Sequence, residues 1–341
     1  MNQLTIKPEL PIHFDSTMRS CLASCPQKFF NEFILGLRPA ELSVDLHAGG
    51  AFSGTIESFY RETWVNHQPK DIALARSHNT FLDLWGDFTT EKKTGKTKEN
   101  MWYAVQHYIA TYPPESDPVQ PFFLDGEPTL EFSFAIPLDG PEFPRHPVTG
   151  DPFIYVGRAD LLGLYHDRPV IRDEKTASRL ESNWSEKWDM RAQFLGYVWA
   201  AQKGGIDVDT VVVRGVIVTM REVRQVEAIK LYQDWEIDRW YSQLARDLHR
   251  LVKCWNDGWF DFNMGDACTQ YGSCAFMTCC KSPDPSRWHS QFKVKRWNPL
   301  NRNPVDPQQS LRFPAAKTVH IGDQAPTAPI SETATETPST P

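Results

Sequence analysis

Two carboxylates and a lysine lie close together in a strand-rich part of the chain. Asp160 ends the run G-R-A-D at 157–160, and Asp173 begins the run D-E-K-T at 173–176. Because side chains alternate along a strand, Asp173 and Lys175 share one face, while Glu174 points away and Asp160 comes from the adjoining strand of a hairpin. Two carboxylates can hold Mg²⁺ or Mn²⁺, and Lys175 can steady an attacking water or developing negative charge. A lone D-x-K would favour a surface hairpin with ordinary charges, whereas the flanking pattern here favours divalent-metal phosphodiester chemistry.

Four of the seven cysteines form a second candidate site. Cys268, Cys274 and Cys280 have five residues between neighbours, and Cys25 lies far earlier, just before a proline. Soft thiolates in this number suit an iron–sulfur cluster. Four thiolates also suit tetrahedral Zn²⁺, although zinc sites more often use tight C-x2-C pairs. Unligated core cysteines are the third alternative.

Length and composition suit a soluble globular chain. The 341 residues, 40% hydrophobic and 23% charged, allow one large domain or two small ones. No stretch approaches the roughly 20 apolar residues that span a bilayer, and the N-terminus lacks a basic region followed by an apolar run. We therefore expect a cytoplasmic protein with no membrane partner. In that reducing compartment, cysteines are more often thiols or metal ligands than disulfides.

The charge is unevenly distributed along the chain. The formal net charge is −7, and residues 281–341 carry +3, which leaves −10 for residues 1–280. A protein that gripped phosphates with its whole surface would normally be basic. An acidic body therefore needs cations or a local basic channel to approach DNA.

The elements that must position these residues can be predicted from periodicity and turn signals. Helices are expected at 18–23 after a cap at 15–17, and at 26–35, 51–64, 72–113 with one interruption, 188–202 and 231–257. Strands are expected at 130–136, 153–165, 170–175 and 210–219, the first three as an antiparallel meander.

Three motifs in this order resemble a known family. They are G-R-A-D at 157–160, D-E-K-T at 173–176 and Q-F-L-G-Y at 193–197. They resemble the central motifs of the PD-(D/E)XK nuclease superfamily, and more narrowly its RecB-like branch, with the nuclease domains of RecB and AddB, CRISPR-adaptation exonucleases and phage relatives. The resemblance covers about residues 16–280. It implies an α/β, restriction-endonuclease-like core with a central mixed sheet flanked by helices.

The resemblance assigns roles to the metal-binding residues. The family's metal-binding and catalytic positions match Asp160, Asp173 and Lys175, and the backbone carbonyl matching Glu174 often completes the metal shell. Glu57 matches a helical acidic residue that reaches the metal directly or through water. Many members carry a histidine a few residues before this glutamate. Residues 51–54 contain none, and His47 lies earlier.

Two further groups of residues receive roles from the same resemblance. Gln193 and Tyr197, one helical turn apart, match a Q-x-x-x-Y motif that contacts DNA or orders the catalytic residues. The cysteines resemble a split [4Fe-4S] site that ties the chain ends together. The ligands would be Cys25, Cys268, Cys274 and Cys280, with the x5 spacing favouring Cys280 over the adjacent Cys279.

The sequence thus predicts a nuclease domain with an Fe–S cluster at 1–281. Residues 282–341 would be a basic and aromatic segment followed by a Pro/Thr-rich, largely disordered tail. The segment at 287–297 could bind single strands or pack onto the body. The expected activity is metal-dependent DNA hydrolysis, as an exonuclease in recombination, repair or phage DNA metabolism, on single strands or duplex ends and with a recombination or replication partner. The alternatives are a non-catalytic DNA-binding or assembly subunit and a zinc-stapled structural protein.

Overall fold

The computed structural model describes residues 6–41, 43–124, 126–269 and 273–300. Its α-helices in these ranges are α1 Ser16–Ser24, α2 Pro26–Phe29, α3 Val44–Tyr60, α4 Lys70–Trp85, α5 Lys98–Thr111, α6 Ala192–Lys203, α7 Asp234–Asp257 and α8 Met277–Cys280. Its strands are β1 His13–Phe14, β2 Leu37–Pro39, β3 Val119–Pro121, β4 Phe123–Leu124, β5 Glu127–Pro128, β6 Leu130–Leu138, β7 Phe153–Tyr165, β8 Arg168–Ala177, β9 Thr210–Val218, β10 Val223–Leu231 and β11 Phe292–Val294. Short 3₁₀ or π turns lie at Phe30–Ile34, Arg61–Val65, Glu186–Trp188, Asp266–Cys268 and Pro285–Gln291.

Local signals explain several helix boundaries. The Asp15 side chain caps α1 by accepting a hydrogen bond from the Met18 N–H at 2.7 Å. A capping box between Gln233 and Glu236 begins α7, which ends at Gly258 with a φ of 65°. The helix predicted from residue 51 begins earlier, at Val44, so the glycines at 49 and 50 lie inside it, because tertiary packing outweighs their low helix propensity.

A mixed sheet forms the centre of the fold, as predicted. Among the described residues it has seven strands, with β1, β7, β8, β9 and β10 in order and with β3 and β6 also paired to β7. The predicted meander β6–β7–β8 is antiparallel, while β1 pairs with β7 and β8 pairs with β9 in parallel. The sheet therefore combines a meander with a parallel crossover.

The long strand β7 has an interrupted partner on one edge. That edge pairs with β1 at Ile154–Tyr155 and with β8 from Leu161 to Tyr165. The other edge is covered by β6 from residue 153 to 161. In the described structure, residues 156–160 consequently have no strand partner on the first edge, and β7 and β8 separate directly after the pair Leu161–Arg172.

Helices cover both faces of the sheet. One apolar core joins α1, α6 and α7 to the sheet through residues such as Phe14, Phe194 and Leu248. A second core packs α3, α4 and α5 onto the other face through residues such as Phe52 and Val105. The sheet is thus the middle layer of three, and its residues are shielded from water on both sides.

The described end of the chain returns to its beginning. The strand β11 pairs antiparallel with β2. The Trp297 indole donates to Asp15 Oδ2 at 2.8 Å, and Arg296 donates to the carbonyls of Ile34 and Lys7 at 2.7 and 2.6 Å. The part of the basic and aromatic segment at 292–297 therefore packs onto the body. The predicted tail beyond residue 300 lies outside the described residues.

Across residues 6–41, 43–124, 126–269 and 273–300, no helix combines the length and apolar character needed to cross a membrane.

Candidate active site

Asp160 lies where β7 and β8 separate. Its Oδ2 accepts a hydrogen bond from the backbone N–H of Glu174 at 2.7 Å, and its Oδ1 is 3.5 Å from the Ser53 hydroxyl on α3. In the register of the hairpin, Asp160 stands opposite Asp173, one step beyond the last ladder pair. The two carboxylates therefore stand opposite each other where the strands stop pairing.

Asp173 and Lys175 share a face of β8, as strand alternation predicted. The Lys175 ammonium forms an ion pair with Asp173 Oδ1 and lies 5.6 Å from the centre of the Phe194 ring on α6. Asp173 is 1% exposed, whereas the Lys175 side chain is 26% exposed. The lysine thus reaches from a buried carboxylate toward solvent, where a substrate could approach.

Burial and mutual repulsion perturb both carboxylates. Burial raises the pKa of Asp160 well above its usual range, and the charges of Asp173 and Glu174 raise it further, against the opposing effect of Lys175. Burial also raises the pKa of Asp173, although Lys175 partly offsets this shift. A divalent cation between these groups would relieve the repulsion, so the donor set fits such an ion.

Glu174 lies on the opposite face, in a buried polar network. Its Oε1 accepts a hydrogen bond from the Tyr108 hydroxyl at 2.5 Å and forms an ion pair with Arg172 Nε at 2.8 Å. Burial would raise the pKa of Glu174, but Arg172 and hydrogen bonds lower it below its ordinary value. The side chain therefore points away from Lys175, as predicted, yet it is ionised and structurally engaged.

The network continues into the centre of the sheet. Arg214 on β9 donates to both oxygens of Asp117 at 2.7 and 2.6 Å, and Arg172 approaches the same carboxylate at 3.4 Å. Both arginines and Asp117 have side chains at most 1% exposed. Sequence reasoning missed these residues. The sequence did contain a signal for this network, because Arg172 and Arg214 are charged residues inside apolar strands.

Glu57 shares a small pocket with Asp160 between α3 and the sheet. Ser53, Glu131 and Glu174 also line this pocket. The Glu57 carboxylate accepts a hydrogen bond from Arg61 at 2.8 Å, one turn along the helix. The structure therefore brings Glu57 to the same side of Asp160 as Ser53.

Glu131 is a second acidic residue of the pocket that sequence reasoning missed. It stands opposite Asp160 in the register of β6 and β7, between the pairs Leu130–Leu161 and Phe132–Ala159. Its φ is +51°, a left-handed conformation that non-glycine residues rarely adopt and that clusters at functional sites. Its carboxylate lies 3.5 Å from Arg158 Nε.

His47 belongs to the core of the helical layer. Its Nε2 lies 3.1 Å from the Trp85 carbonyl, and its ring stacks on Phe88 with centres 3.9 Å apart. Burial lowers the pKa of His47. These contacts hold the histidine in the core of the helical layer.

Gln193 and Tyr197 are joined on α6. The Gln193 amide donates to the Tyr197 hydroxyl at 2.8 Å, and this hydroxyl donates to the Arg158 carbonyl on β7 at 2.5 Å. Burial raises the pKa of Tyr197, and the nearby charges of Asp173 and Asp160 raise it further. The motif therefore fixes the part of β7 that has no strand partner on one edge.

Three of the predicted cluster cysteines, Cys25, Cys268 and Cys274, lie near the fourth, Cys280. Burial is the main cause that raises the pKa of the Cys280 thiol to about 11. The nearby thiols of Cys274, Cys25, Cys279 and Cys268 raise this pKa further. Cys279 is 1% exposed, whereas Cys280 is exposed.

Two hydrogen bonds hold the cysteine-bearing segments together. Asn263 Nδ2 donates to the Ser24 carbonyl at 2.7 Å, and the Gln27 N–H donates to the Asp261 carbonyl at 3.0 Å. The segment after α7 is therefore held against the start of α2.

The candidate metal ligands lie within residues 6–41, 43–124, 126–269 and 273–300. Within them, no group of three or more His, Cys, Asp or Glu side chains has the geometry of a formed metal site. Oxygen donors at Asp160 and Asp173 and sulfur donors at the cysteines nevertheless suit hard and soft metals respectively.

Comparison with known proteins identifies a family. A family model described as the PD-(D/E)XK nuclease superfamily matches residues 17–281. A search of curated proteins finds no match to the chain. A solved structure described as a candidate exonuclease from Eubacterium rectale shares 11% identity with a TM-score of 0.41, covering 77% of this chain and 89% of that one. The structure of SSO0001 shares 11% identity with a TM-score of 0.28, covering 60% and 73%.

The assignment depends on the family model, because both TM-scores are too low to add to it. The matched region covers most of the chain and contains the mixed sheet, the separated strands β7 and β8, and the helix with Gln193 and Tyr197. The chain therefore belongs to the PD-(D/E)XK nuclease superfamily.

Proposed function

We propose that this protein is a metal-dependent deoxyribonuclease that hydrolyses phosphodiester bonds as an exonuclease. The observation that carries the proposal is the convergence of Asp160, Asp173 and Lys175 where β7 and β8 separate. Two neighbouring carboxylates can hold a divalent cation, and such a cation with a lysine beside it is suited to charge stabilisation on a phosphodiester. The family assignment supports the same reaction class.

The chain supplies oxygen donors for Mg²⁺ or Mn²⁺ from Asp160, Asp173, Glu57 and the Glu174 carbonyl. A divalent ion there would activate water and neutralise charge on the scissile phosphate. The Glu174 N–H orients the Asp160 carboxylate. Lys175 stabilises negative charge that develops on the phosphate, and its ion pair with Asp173 keeps it close to the reacting groups.

The proposal includes a [4Fe-4S] cluster on Cys25, Cys268, Cys274 and Cys280. The proximity of Cys274, Cys25 and Cys268 to Cys280 supports this set, and the exposure of Cys280 distinguishes it from buried Cys279. Thiolates are the usual ligands of such clusters. Bound there, the cluster would tie the start of the domain to its end.

The biological setting belongs to the same proposal. A RecB-like or AddB-like exonuclease would act in recombination, repair or phage DNA metabolism, on single strands or duplex ends, with a recombination or replication protein as partner. The predicted domain boundary at residue 281 and the cytoplasmic location remain predictions of the sequence.

A non-catalytic DNA-binding subunit is the alternative function. It would retain the fold and the cysteines without needing the lysine and the aspartates together. The ion pair between Lys175 and buried Asp173, beside Asp160, favours the enzyme.

The test is a time course of DNA cleavage by anaerobically purified protein. Single- and double-stranded DNA labelled at either end is incubated with Mg²⁺, Mn²⁺ or a chelator. An exonuclease releases labelled mononucleotides from one end before internal fragments form. DNA binding without cleavage in either metal would contradict the proposal and favour the non-catalytic subunit.

A further inference from the structure

A polar groove runs between α1 and the start of α6. Its volume is about 500 Å³. Hydroxyl side chains of α1, the cations Lys28 and Arg191, and Gln193 line it. Because Gln193 bonds to Tyr197, and Tyr197 bonds to the backbone of β7 two residues before Asp160, the groove opens beside the candidate catalytic residues.

Two cations of the groove have no carboxylate partner. Across the described ranges, neither Lys28 nor Arg191 forms an ion pair. Glu32, the acidic residue of the lining, is paired with Arg38. The groove is therefore locally positive in a chain whose net charge is −7, and it offers charge for an anion.

Three serine hydroxyls of the groove are also available to bind a ligand. Ser16, Ser20 and Ser24 follow one another at intervals of four residues along α1, and their side chains make no hydrogen bond in the described part of the chain. Four residues of helix correspond to a rise of about 6 Å. This interval is of the order of the separation between successive phosphates of a DNA strand, so each hydroxyl can meet a different phosphate.

Arg191 lines the groove and also lies near Asp173, one of the candidate catalytic carboxylates. It lies directly before α6, and its charge opposes the rise in the pKa of Asp173. A DNA strand that contacts Arg191 would therefore lie close to the candidate catalytic carboxylates.

We propose that this groove binds the sugar-phosphate backbone of the DNA strand that enters the active site. Lys28 and Arg191 neutralise phosphates, and the α1 hydroxyls donate hydrogen bonds to them. The inference depends on the nuclease function proposed above and assigns the path of its substrate. The contacts carry no base specificity, because all of them go to the backbone.

The test measures DNA affinity separately from cleavage. The full-length protein and its variants are titrated against fluorescently labelled single-stranded and duplex DNA, with Ca²⁺ in place of Mg²⁺, at several salt concentrations. Ser20→Asp should weaken binding at least about tenfold, because it places a negative charge among the phosphates. Lys28→Ala should lower the slope of log affinity against log salt by roughly one unit.

Matched controls separate the groove from general effects of charge. Ser242→Asp adds the same charge at another exposed helical serine, and Lys70→Ala removes an exposed lysine at the start of α4. Both should bind DNA like the wild type. Equal losses in Ser20→Asp and Ser242→Asp, or an unchanged salt slope in Lys28→Ala, would overturn the proposal.

The two DNA substrates report which strand form occupies the groove. A loss confined to single-stranded DNA, or shared by duplexes with frayed ends, supports an entering single strand. A loss confined to blunt duplex would contradict this path. In cleavage assays, KM should rise more than kcat falls.

The experiments distinguish an incorrect groove proposal from an incorrect nuclease proposal. Cleavage by the wild type with normal DNA binding by Ser20→Asp would reject the groove alone. Weak binding by Ser20→Asp in a protein that cleaves no DNA would reject the nuclease alone.

Discussion

Asp160 and Asp173 are held in a state that favours cation binding. Each has a raised pKa because of burial, and the charge of Glu174, which Arg172 keeps ionised, adds to the repulsion. Catalytic sites often store such unfavourable charge, which the bound cation then relieves. In the metal-free protein, these carboxylates therefore lower the free energy of unfolding when they are ionised.

Asp160→Asn should stabilise the metal-free protein at neutral pH by several degrees in Tm. The native pKa of Asp160 lies above its unfolded value, so native stability falls as pH rises from about 4 toward the native pKa. Asparagine carries no such charge and can still accept the Glu174 N–H. The gain should consequently shrink as pH falls toward about 4.

Thermal unfolding in chelator across this pH range checks the expectation. Asp207→Asn, at an exposed loop carboxylate, is the control and should change Tm little. A gain of the same size at every pH, or a loss of stability at neutral pH, would contradict the account of Asp160.

At the scale of elements, α6 sets the position of β7 through a single hydroxyl. Tyr197→Phe removes the hydrogen bond to the Arg158 carbonyl while preserving the ring. If the motif orders the catalytic strand, kcat should fall roughly tenfold and the Kd for DNA should stay nearly constant. Single-turnover cleavage and anisotropy measure the two quantities. A large rise in Kd with little change in kcat would assign the motif to DNA contact instead.

The polar network joins β8 and β9 to Asp117. Arg214→Leu should destabilise the fold by about 3–5 kcal/mol, because it leaves a buried carboxylate without its bidentate partner. The double variant Asp117→Leu/Arg214→Leu should recover part of this loss. Urea denaturation measures both. The exposed pair of Arg224 and Glu222 provides the control, and Arg224→Leu should cost less than about 1 kcal/mol. A loss in Arg214→Leu no larger than the control would refute the role of the network.

Local sequence patterns were sufficient to predict some of these side-chain arrangements. Alternation along a strand predicted that Asp173 and Lys175 share a face, and helical periodicity predicted that Gln193 and Tyr197 do so. The Asp117–Arg214 pair joins residues 97 positions apart, and nothing local in either segment identifies its partner. The conformation of Glu131 likewise depends on pairing with β7, so its approach to Asp160 could not be read from its own neighbours.

At the scale of the molecule, the two ends of the nuclease domain meet at the cysteines. If the proposed cluster is present, Cys25→Ser should remove the brown colour, iron and sulfide of the anaerobically purified protein and lower Tm, since the cluster would close a very long loop. Cys279→Ser should retain the cluster, because Cys280 is the proposed ligand. Visible absorption with iron and sulfide analysis measures these outcomes. A colourless wild-type protein containing zinc would reject the cluster.

The most direct measurement of the central claim is the rate of DNA cleavage by Asp173→Ala relative to wild type, over a range of Mg²⁺ and Mn²⁺ concentrations. Asp173 should bind the metal and hold Lys175, so the rate should fall by orders of magnitude while circular dichroism shows an intact fold. Asp207→Ala, at an exposed carboxylate, should cleave like the wild type. Near-normal cleavage by folded Asp173→Ala would contradict the assignment of the active site.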